Sequence, residues 1–460
     1  MAKRHVSRLT FLLTPPRVRT LSTVSVVQEH DVVLLRQQGP KSPRWHLTAP
    51  LRCGSQIKLS YGRTVKVDHL LGRRPLDRVV DSAGLPVVVH EPTLSCYVLH
   101  SSFTRLATPI YPHDAGTIVS LLDIHPVRPG EEEEDDDGDS VGPPLEVFEA
   151  GTGVGSLTLH LARALHAANP PLPPTLRRAL CAAHACRDPE TVSADLGPED
   201  QAALDVYKAS RRLVLHTLDQ SVSRAKAAFK FVRHFRRALY LPTIDFHVGT
   251  VDSYISQRLV ASEGRPFLSR AVLDLASPEE SAAPVVQALH PGAVLIIFQP
   301  SISQIANFQA WCRETSQPLQ LDKVLELPAT TVMHGLNDNG GGRPWTVKMG
   351  TVKADGGKAV QIMRPKVGGS MAGGGFVAVF RRWPVDGMSV LAPEEADESE
   401  SPAESEREKE PNQAQMGIPQ AQKDNQQNET KYPQQAQKDE QDETKPQQAQ
   451  TDDGIEVSKS

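Results

Sequence analysis

The stretch Leu145-Glu-Val-Phe-Glu-Ala-Gly-Thr-Gly-Val-Gly-Ser-Leu-Thr-Leu-His-Leu-Ala-Arg163 constrains the fold more than any other part of the chain. It reads as an apolar strand ending at Glu149, a loop carrying Gly151, Gly153 and Gly155, and a helix with Leu157, Leu161 and Leu165 on one face. Glycine lets a backbone turn tightly and approach a ligand closely. The helix N-terminus adds free N–H groups and a positive potential. This order predicts a site for a nucleoside ligand at the carboxyl end of the first strand of a parallel sheet. The plainer alternative is a structural turn without functional consequence.

Glycine loops also serve dinucleotide folds. Two features favour S-adenosylmethionine. Glu149 stands immediately before the loop, where a carboxylate suits a cationic ligand better than a pyrophosphate. The spacing is Gly-x-Gly-x-Gly rather than Gly-x-Gly-x-x-Gly, which disfavours a nicotinamide dehydrogenase.

Downstream, strands and helices alternate, which predicts a doubly wound α/β fold. A strand Leu213–Leu218 ends at Asp219, an acid placed to accept both ribose hydroxyls. A basic helix Ser221–Phe235 follows, then a strand Ile244–Val248 leading to Gly249-Thr250-Val-Asp252, where an adenine ring would lie. The strand Ala271–Leu273 reaches Asp274, whose carboxylate would face the crevice that receives the methyl acceptor. The competing reading of Asp274 is a helix N-cap reached through the Ser277-Pro turn. A helix through Val285–Leu289 closes at His290-Pro-Gly292, and a strand Ala293–Phe298 follows.

Charge is unevenly spread along the 460 residues. Leu391–Ser460 holds 7 Lys+Arg and 18 Asp+Glu, a balance of −11, so the rest, with 43 against 37, carries +6. A mildly basic body with acidic appendages suits a nucleic-acid enzyme. Residues 1–28 contain Lys3, Arg4, Arg8, Arg17 and Arg19 and no acid, which fits a mitochondrial transit peptide. A basic RNA-binding arm is the alternative. Residues 29–101 read as a small β-rich domain, with short apolar runs such as Val32-Val-Leu-Leu and Leu85-Pro-Val-Val-Val. Residues 102–390 form the α/β domain, with a solvated acidic loop at 131–139 and a partly helical insertion at about 169–208. Residues 391–460, rich in Glu and Gln, cannot bury a core and are expected to be disordered. Cys53, Cys96, Cys181, Cys186 and Cys312 show no zinc-type spacing, and no apolar run is long enough for a membrane span.

Taken in order, these motifs resemble the tRNA adenine-58 N1-methyltransferase family, of the catalytic-subunit type. Tyr61–Gly72 and His90-Glu-Pro-Thr-Leu-Ser-Cys-Tyr97 resemble its N-terminal β-domain. Arg105 through Ile110-Tyr-Pro-His-Asp114-Ala resembles the segment that covers the cofactor. Glu149–Thr158 is similar to the cofactor loop, Asp274-Leu-Ala-Ser-Pro278 to the catalytic motif, and Pro300-Ser-Ile-Ser-Gln304 to the next strand end. The chain departs from the family pattern at Thr108, Thr250, Ala276, Glu279 and the turn Gly373–Phe376, which bear on adenine binding and on the acceptor pocket.

The resemblance implies a class I, Rossmann-like methyltransferase that uses S-adenosylmethionine to methylate N1 of adenine 58 in the tRNA T-loop. It implies Asp274 as the catalytic residue, and Glu149, Gly151, Thr152, Gly153, Gly155, Ser156, Leu157, Asp219 and Thr250 around the cofactor. It also implies a tetramer, either of this chain alone or with a related non-catalytic subunit. With the import-type N-terminus, a mitochondrial, fungal form is expected; the nucleus is the alternative location. Two other functions stay open: a non-catalytic or partner-dependent subunit, and methylation of a mitochondrial rRNA adenine. Phosphate-contact candidates are Arg63, Lys66, Arg73, Arg74, Arg233, Arg236 and Arg237, each of which could equally be a solvated charge.

Overall fold

The computed structural model describes residues 26–39, 43–101, 107–126, 144–185, 191–332, 345–352, 358–365 and 370–384. The basic stretch up to residue 25, Arg105, the acidic run 131–139, Cys186 and the tail from 391 lie outside the described residues.

The small N-terminal part is antiparallel. A four-stranded sheet runs in the order Arg44–Leu47, Leu34–Gln37, Pro86–His90, Arg78–Val80, and a two-stranded ladder pairs Gln56–Lys58 with Thr64–Lys66. Alternation along these strands sends Leu35, Val79, Val87 and Val89 into a core of their own with Val65, Val67 and Leu70. Thr93 then caps α1 (Leu94–His100), its hydroxyl accepting from the N–H of Cys96 at 3.1 Å. Leu94, Tyr97 and Val98 of α1 belong to the core of the larger body, and the Tyr97 hydroxyl donates to the buried carbonyl of Phe231 at 2.7 Å. The chain therefore joins the α/β body at residue 94.

After α2 (Pro112–Leu121), the body is built on β1 (Leu145–Ala150), α3 (Ser156–Leu165), α4 (Pro174–Ala182), α5 (Pro198–Ala209), β2 (Leu213–Asp219), α6 (Val222–His234), β3 (Ile244–Val248), α7 (Val251–Ala261), β4 (Leu268–Leu273), α8 (Ala282–Ala288), β5 (Leu289–Gln299), α9 (Ile302–Glu314), β6 (Leu319–Leu327) and β7 (Gly375–Arg382). The seven-stranded sheet has the order β3-β2-β1-β4-β5-β7-β6. The first five strands are parallel, and β7 runs antiparallel between β5 and β6. Helices cover both faces, so the inner strands are apolar on both sides: every residue of β2 is buried. This is the class I, Rossmann-like fold expected from the alternation. The strand order reverses beside β1, which opens a crevice at the carboxyl ends of β1, β2 and β4.

Three features differ from the sequence-based expectations. His290-Pro-Gly292 does not precede β5 but lies inside it. The 169–208 stretch packs on the body: Leu176 and Leu180 of α4 and Tyr207 of α5 are buried in its core. Lys208 and Arg211 then grip Asp245 of the edge strand β3 at 2.8 and 2.7 Å. A long hairpin, Trp345–Val352 paired with Lys358–Pro365, stands between β6 and β7, with no counterpart in the sequence reading. No helix among the described residues is long and apolar enough to cross a membrane.

Candidate functional site

The glycine loop is fixed from two sides. The N–H groups of Gly151 and Thr152 both donate to the carbonyl of Leu218 on β2, at 2.9 and 3.2 Å. The N–H of Asp274 donates to the carbonyl of Ala150 at 2.9 Å. Gly151 has φ +97°, and a Cβ built on it would lie 2.2 Å from the Asp274 carbonyl oxygen. Gly155 opens α3 at φ +83°, where a Cβ would meet that of Ala228 at 3.0 Å. Both positions admit only glycine without a shift of backbone.

A cleft of about 440 Å³ opens above this junction. Thr108, Gly151, Gly153, Asp219, Gly249 and Asp274 border it. Three separate strand ends thus bring the loop, the acid of β2 and the acid of β4 together. Asp219 is nearly buried. Its Oδ2 accepts from the N–H of Gly153 at 3.0 Å and its Oδ1 from that of Ser221 at 2.7 Å. The Arg224 guanidinium also lies against both oxygens, at 3.0 and 3.2 Å from Nε. Arg224 and Gln220 border the cleft, and the sequence reading does not single them out. No periodic signature marks the contact, because Asp219 ends β2 while Arg224 lies in the first turn of α6.

Glu149 does not border the cleft, contrary to the direct contact expected of it. Side chains alternate along β1, so Phe148 and Ala150 face one layer, and Val147 and Glu149 face α3. The Glu149 carboxyl accepts from the hydroxyls of Thr158 and Thr217, both at 2.7 Å. Its other oxygen is buried with no hydrogen-bond partner among the described residues. Burial pushes its pKa up to about 8, against the lowering effect of those two hydroxyls. Thr152 and Thr217 share a further hydroxyl contact at 2.7 Å. Ser156 donates to the Ile110 carbonyl at 2.6 Å, tying the covering segment to the start of α3. Leu157 is a core residue, and Thr250 caps α7 by accepting from the N–H of Ser253 at 3.2 Å. These side chains shape the site from behind rather than line it.

Asp274 has the opposite surroundings. Burial raises its pKa to about 7, and no described residue donates a hydrogen bond to its carboxylate. It caps no helix: the turn Pro278–Glu280 follows Ser277, and α8 follows Ser281. The backbone after it is held from β5 and α9. Gln299 Nε2 donates to the Leu275 carbonyl at 2.7 Å, and Gln304 Nε2 to that of Ala276 at 3.3 Å. The Gly373 turn approaches α2 closely, since a Cβ there would stand 2.8 Å from Asp114 Oδ2.

The residues present fit a nucleoside cofactor with a cationic sulfur. The glycine cradle leaves room for close approach, and Asp219 could accept a ribose diol. Several basic residues expected to meet phosphate are engaged within the chain. Arg63 pairs with Asp81, Arg236 with Glu91 and Arg237 with Asp31, at 3.4, 2.6 and 3.2 Å, and Arg233 binds the Ala183 carbonyl. Lys66, Arg73 and Arg74 are exposed.

No family model matches the chain. Among solved structures, it is similar to a SAM-dependent O-methyltransferase from Thermotoga maritima, with 13% identity, a TM-score of 0.46, and 78% of this chain and 95% of that one covered. It is also similar to the tRNA (m1A58) methyltransferase TrmI from Aquifex aeolicus, at 14% identity and a TM-score of 0.43, covering 78% and 100%. Two curated relatives, the tRNA (adenine(58)-N(1))-methyltransferases TrmI of two strains of Thermus thermophilus, are 31% identical over 264 residues, which is 57% of this chain and 74% of theirs. On that identity and coverage, the chain belongs to the tRNA (adenine(58)-N(1))-methyltransferase family.

Proposed function

We propose that this chain methylates N1 of adenine 58 in the T-loop of tRNA, in mitochondria, with Asp274 in the acceptor site. It is a methyltransferase that uses S-adenosylmethionine. The observation that carries the reading is the junction in which Asp274, the glycine loop and Asp219 share one cleft. When bound, the cofactor supplies an electrophilic methyl group. Asp219, Gly151 and Gly153 would orient it.

Adenine N1 carries its own lone pair, so the protein need not create a nucleophile, and catalysis is mostly positioning. Asp274, with no donor of its own among the described residues, accepts a hydrogen bond from the exocyclic amine of the target base. Its negative charge stabilises the cationic ring as that charge develops. N1 lies on the base-pairing edge, so the adenine has to leave its stack to reach the cleft. The Gln299 and Gln304 amides keep the Asp274 loop in place while it does so.

Assembly with further copies of this chain is part of the reading. Trp345, Val347, Met349 and Met363 are exposed together on one face of the long hairpin, since Val347 pairs with Met363. A contiguous apolar face of this kind favours a subunit contact. The mitochondrial location rests on the composition of residues 1–28. The test is transfer of labelled methyl groups to unmodified mitochondrial tRNA, with the position mapped by reverse transcription. Label at N1 of adenine 58 supports the reading; label elsewhere, or on rRNA alone, contradicts it. Terminal sequencing of the mature protein tests the location, because an intact Met1 would count against import.

A further inference from the structure

The outer face of the N-terminal sheet is charged in a way the cofactor site does not use. Strand register aligns one residue from each of the four strands in a single row: Trp45, Arg36, Val88 and Arg78. Cross-strand partners point to the same side of a sheet. The opposite side carries Leu35, Val79, Val87 and Val89 into the core, so this row faces outward. Arg36 and Arg78 are exposed, two strands apart, or about 10 Å at the usual strand spacing. The Arg36 guanidinium lies 5.8 Å from the centre of the Trp45 ring, and a groove of about 410 Å³ runs between the arginines over Val88 and Pro86.

The acids of this domain are all turned elsewhere. Asp81 and Glu91 pair with Arg63 and Arg236, and Asp31 with Arg237. Glu29, Asp68 and Asp77 accept from the backbone N–H groups of Cys53, Gly54 and Arg74. Every carboxylate between residues 26 and 93 is thus engaged, and no described carboxylate pairs with Arg36 or Arg78. Two unpaired guanidiniums beside an aromatic ring on an otherwise uncommitted face complement a polyanion with stackable bases.

We propose that this sheet face is a docking surface for the RNA substrate, with Arg36 and Arg78 contacting backbone phosphates and Trp45 steadying Arg36 from the edge strand. The proposal rests on the reading that the substrate is tRNA. It moves the phosphate contacts away from Arg63, Arg236 and Arg237, which are held in ion pairs. The alternative occupant is one of the chain's own acidic segments, Glu131–Asp139 or the tail from Leu391, which also match a basic face.

The experiment compares full-length wild type with Arg36→Gln/Arg78→Gln in binding to unmodified tRNA across a salt series. Arg265→Gln/Arg313→Gln controls for general charge loss, and thermal melting with cofactor affinity controls for folding. Expected is a loss of about 5- to 30-fold in tRNA affinity near physiological salt, with a salt slope shallower by about 1–2, and little change in the control pair. Unchanged affinity and slope would overturn the surface. Tighter binding by the double variant would also overturn it, because it would mean an acidic segment of the chain holds the face. Wild-type methyl transfer to the same tRNA separates this outcome from failure of the substrate reading: transfer without any effect of the variant sinks only the surface.

Discussion

Gly151 and Asp274 meet backbone to backbone: a Cβ on the glycine would stand 2.2 Å from the carbonyl oxygen of the aspartate. The loop that cradles the cofactor and the loop that presents the acceptor-site acid are therefore one unit. Gly151→Ala should disturb both. A non-glycine residue at φ +97° is strained, and the contact forces a backbone shift as well. The expected cost is about 2–4 kcal/mol of stability, with loss of cofactor binding. Thermal melting and calorimetric titration with S-adenosylmethionine check this; retention of both would show that the junction is soft.

Asp274→Asn should separate stability from activity. Burial raises the Asp274 pKa from 3.8 to about 7, so between these values the native state holds a proton that the unfolded chain has released. This group's contribution to stability is therefore greatest at low pH and declines as pH rises from about 4 to 7. Asparagine removes that decline. Above pH 7 the variant should be more stable than wild type by roughly 2–4 kcal/mol while transfer falls at least a hundredfold. A variant no more stable than wild type would mean that the carboxylate finds a partner in solution.

The same group sets a pH dependence for transfer. The carboxylate form accepts the amine hydrogen bond, so kcat/KM, which reports the free enzyme, should rise with pH through an apparent pKa near 7 and level off above it. The Asn variant should lack this limb. A flat wild-type profile from pH 6 to 8.5 would contradict the role.

Arg224 competes for the oxygens that a ribose diol would need. The Arg224 side chain is 44% exposed, so solvent screens its pair with Asp219 and makes it a weak latch. Arg224→Met should tighten cofactor binding about two- to fivefold, whereas Asp219→Ala should weaken it at least tenfold. Weaker binding by Arg224→Met would assign the guanidinium a direct contact with the cofactor instead.

Glu149 tests the distinction between lining a site and supporting it. Its carboxyl receives two buried hydroxyls, so Glu149→Leu leaves Thr158 and Thr217 without their acceptor. That should cost about 2–3 kcal/mol. Glu149→Gln keeps an acceptor, and should lose about 1 kcal/mol or less with cofactor affinity within a few-fold. A large, selective loss of affinity in the Gln variant would instead mean that the charge itself acts on the cofactor.

Much of this site is legible in the sequence. Gly151, Asp219 and Asp274 each end or directly follow a strand with its own apolar run, and a doubly wound sheet sets β2 and β4 on either side of β1. Local patterns suffice for that much. They do not give the side to which Glu149 points, because a strand's last residues can face either layer. Nor do they reveal that Arg63, Arg236 and Arg237 are consumed by ion pairs, or that Gln299 reaches the Leu275 carbonyl: these partners are distant in sequence and carry no periodic signature.

The most direct test is a single-turnover reaction above pH 8 with unmodified tRNA and labelled S-adenosylmethionine, comparing wild type with Asp274→Asn. Cofactor affinity is measured in parallel. Wild type should place label at N1 of adenine 58, and the variant should bind cofactor normally and transfer at least a hundredfold more slowly. Equal transfer rates, or a wild type that binds both ligands and leaves that adenine unmodified, would contradict the proposed function.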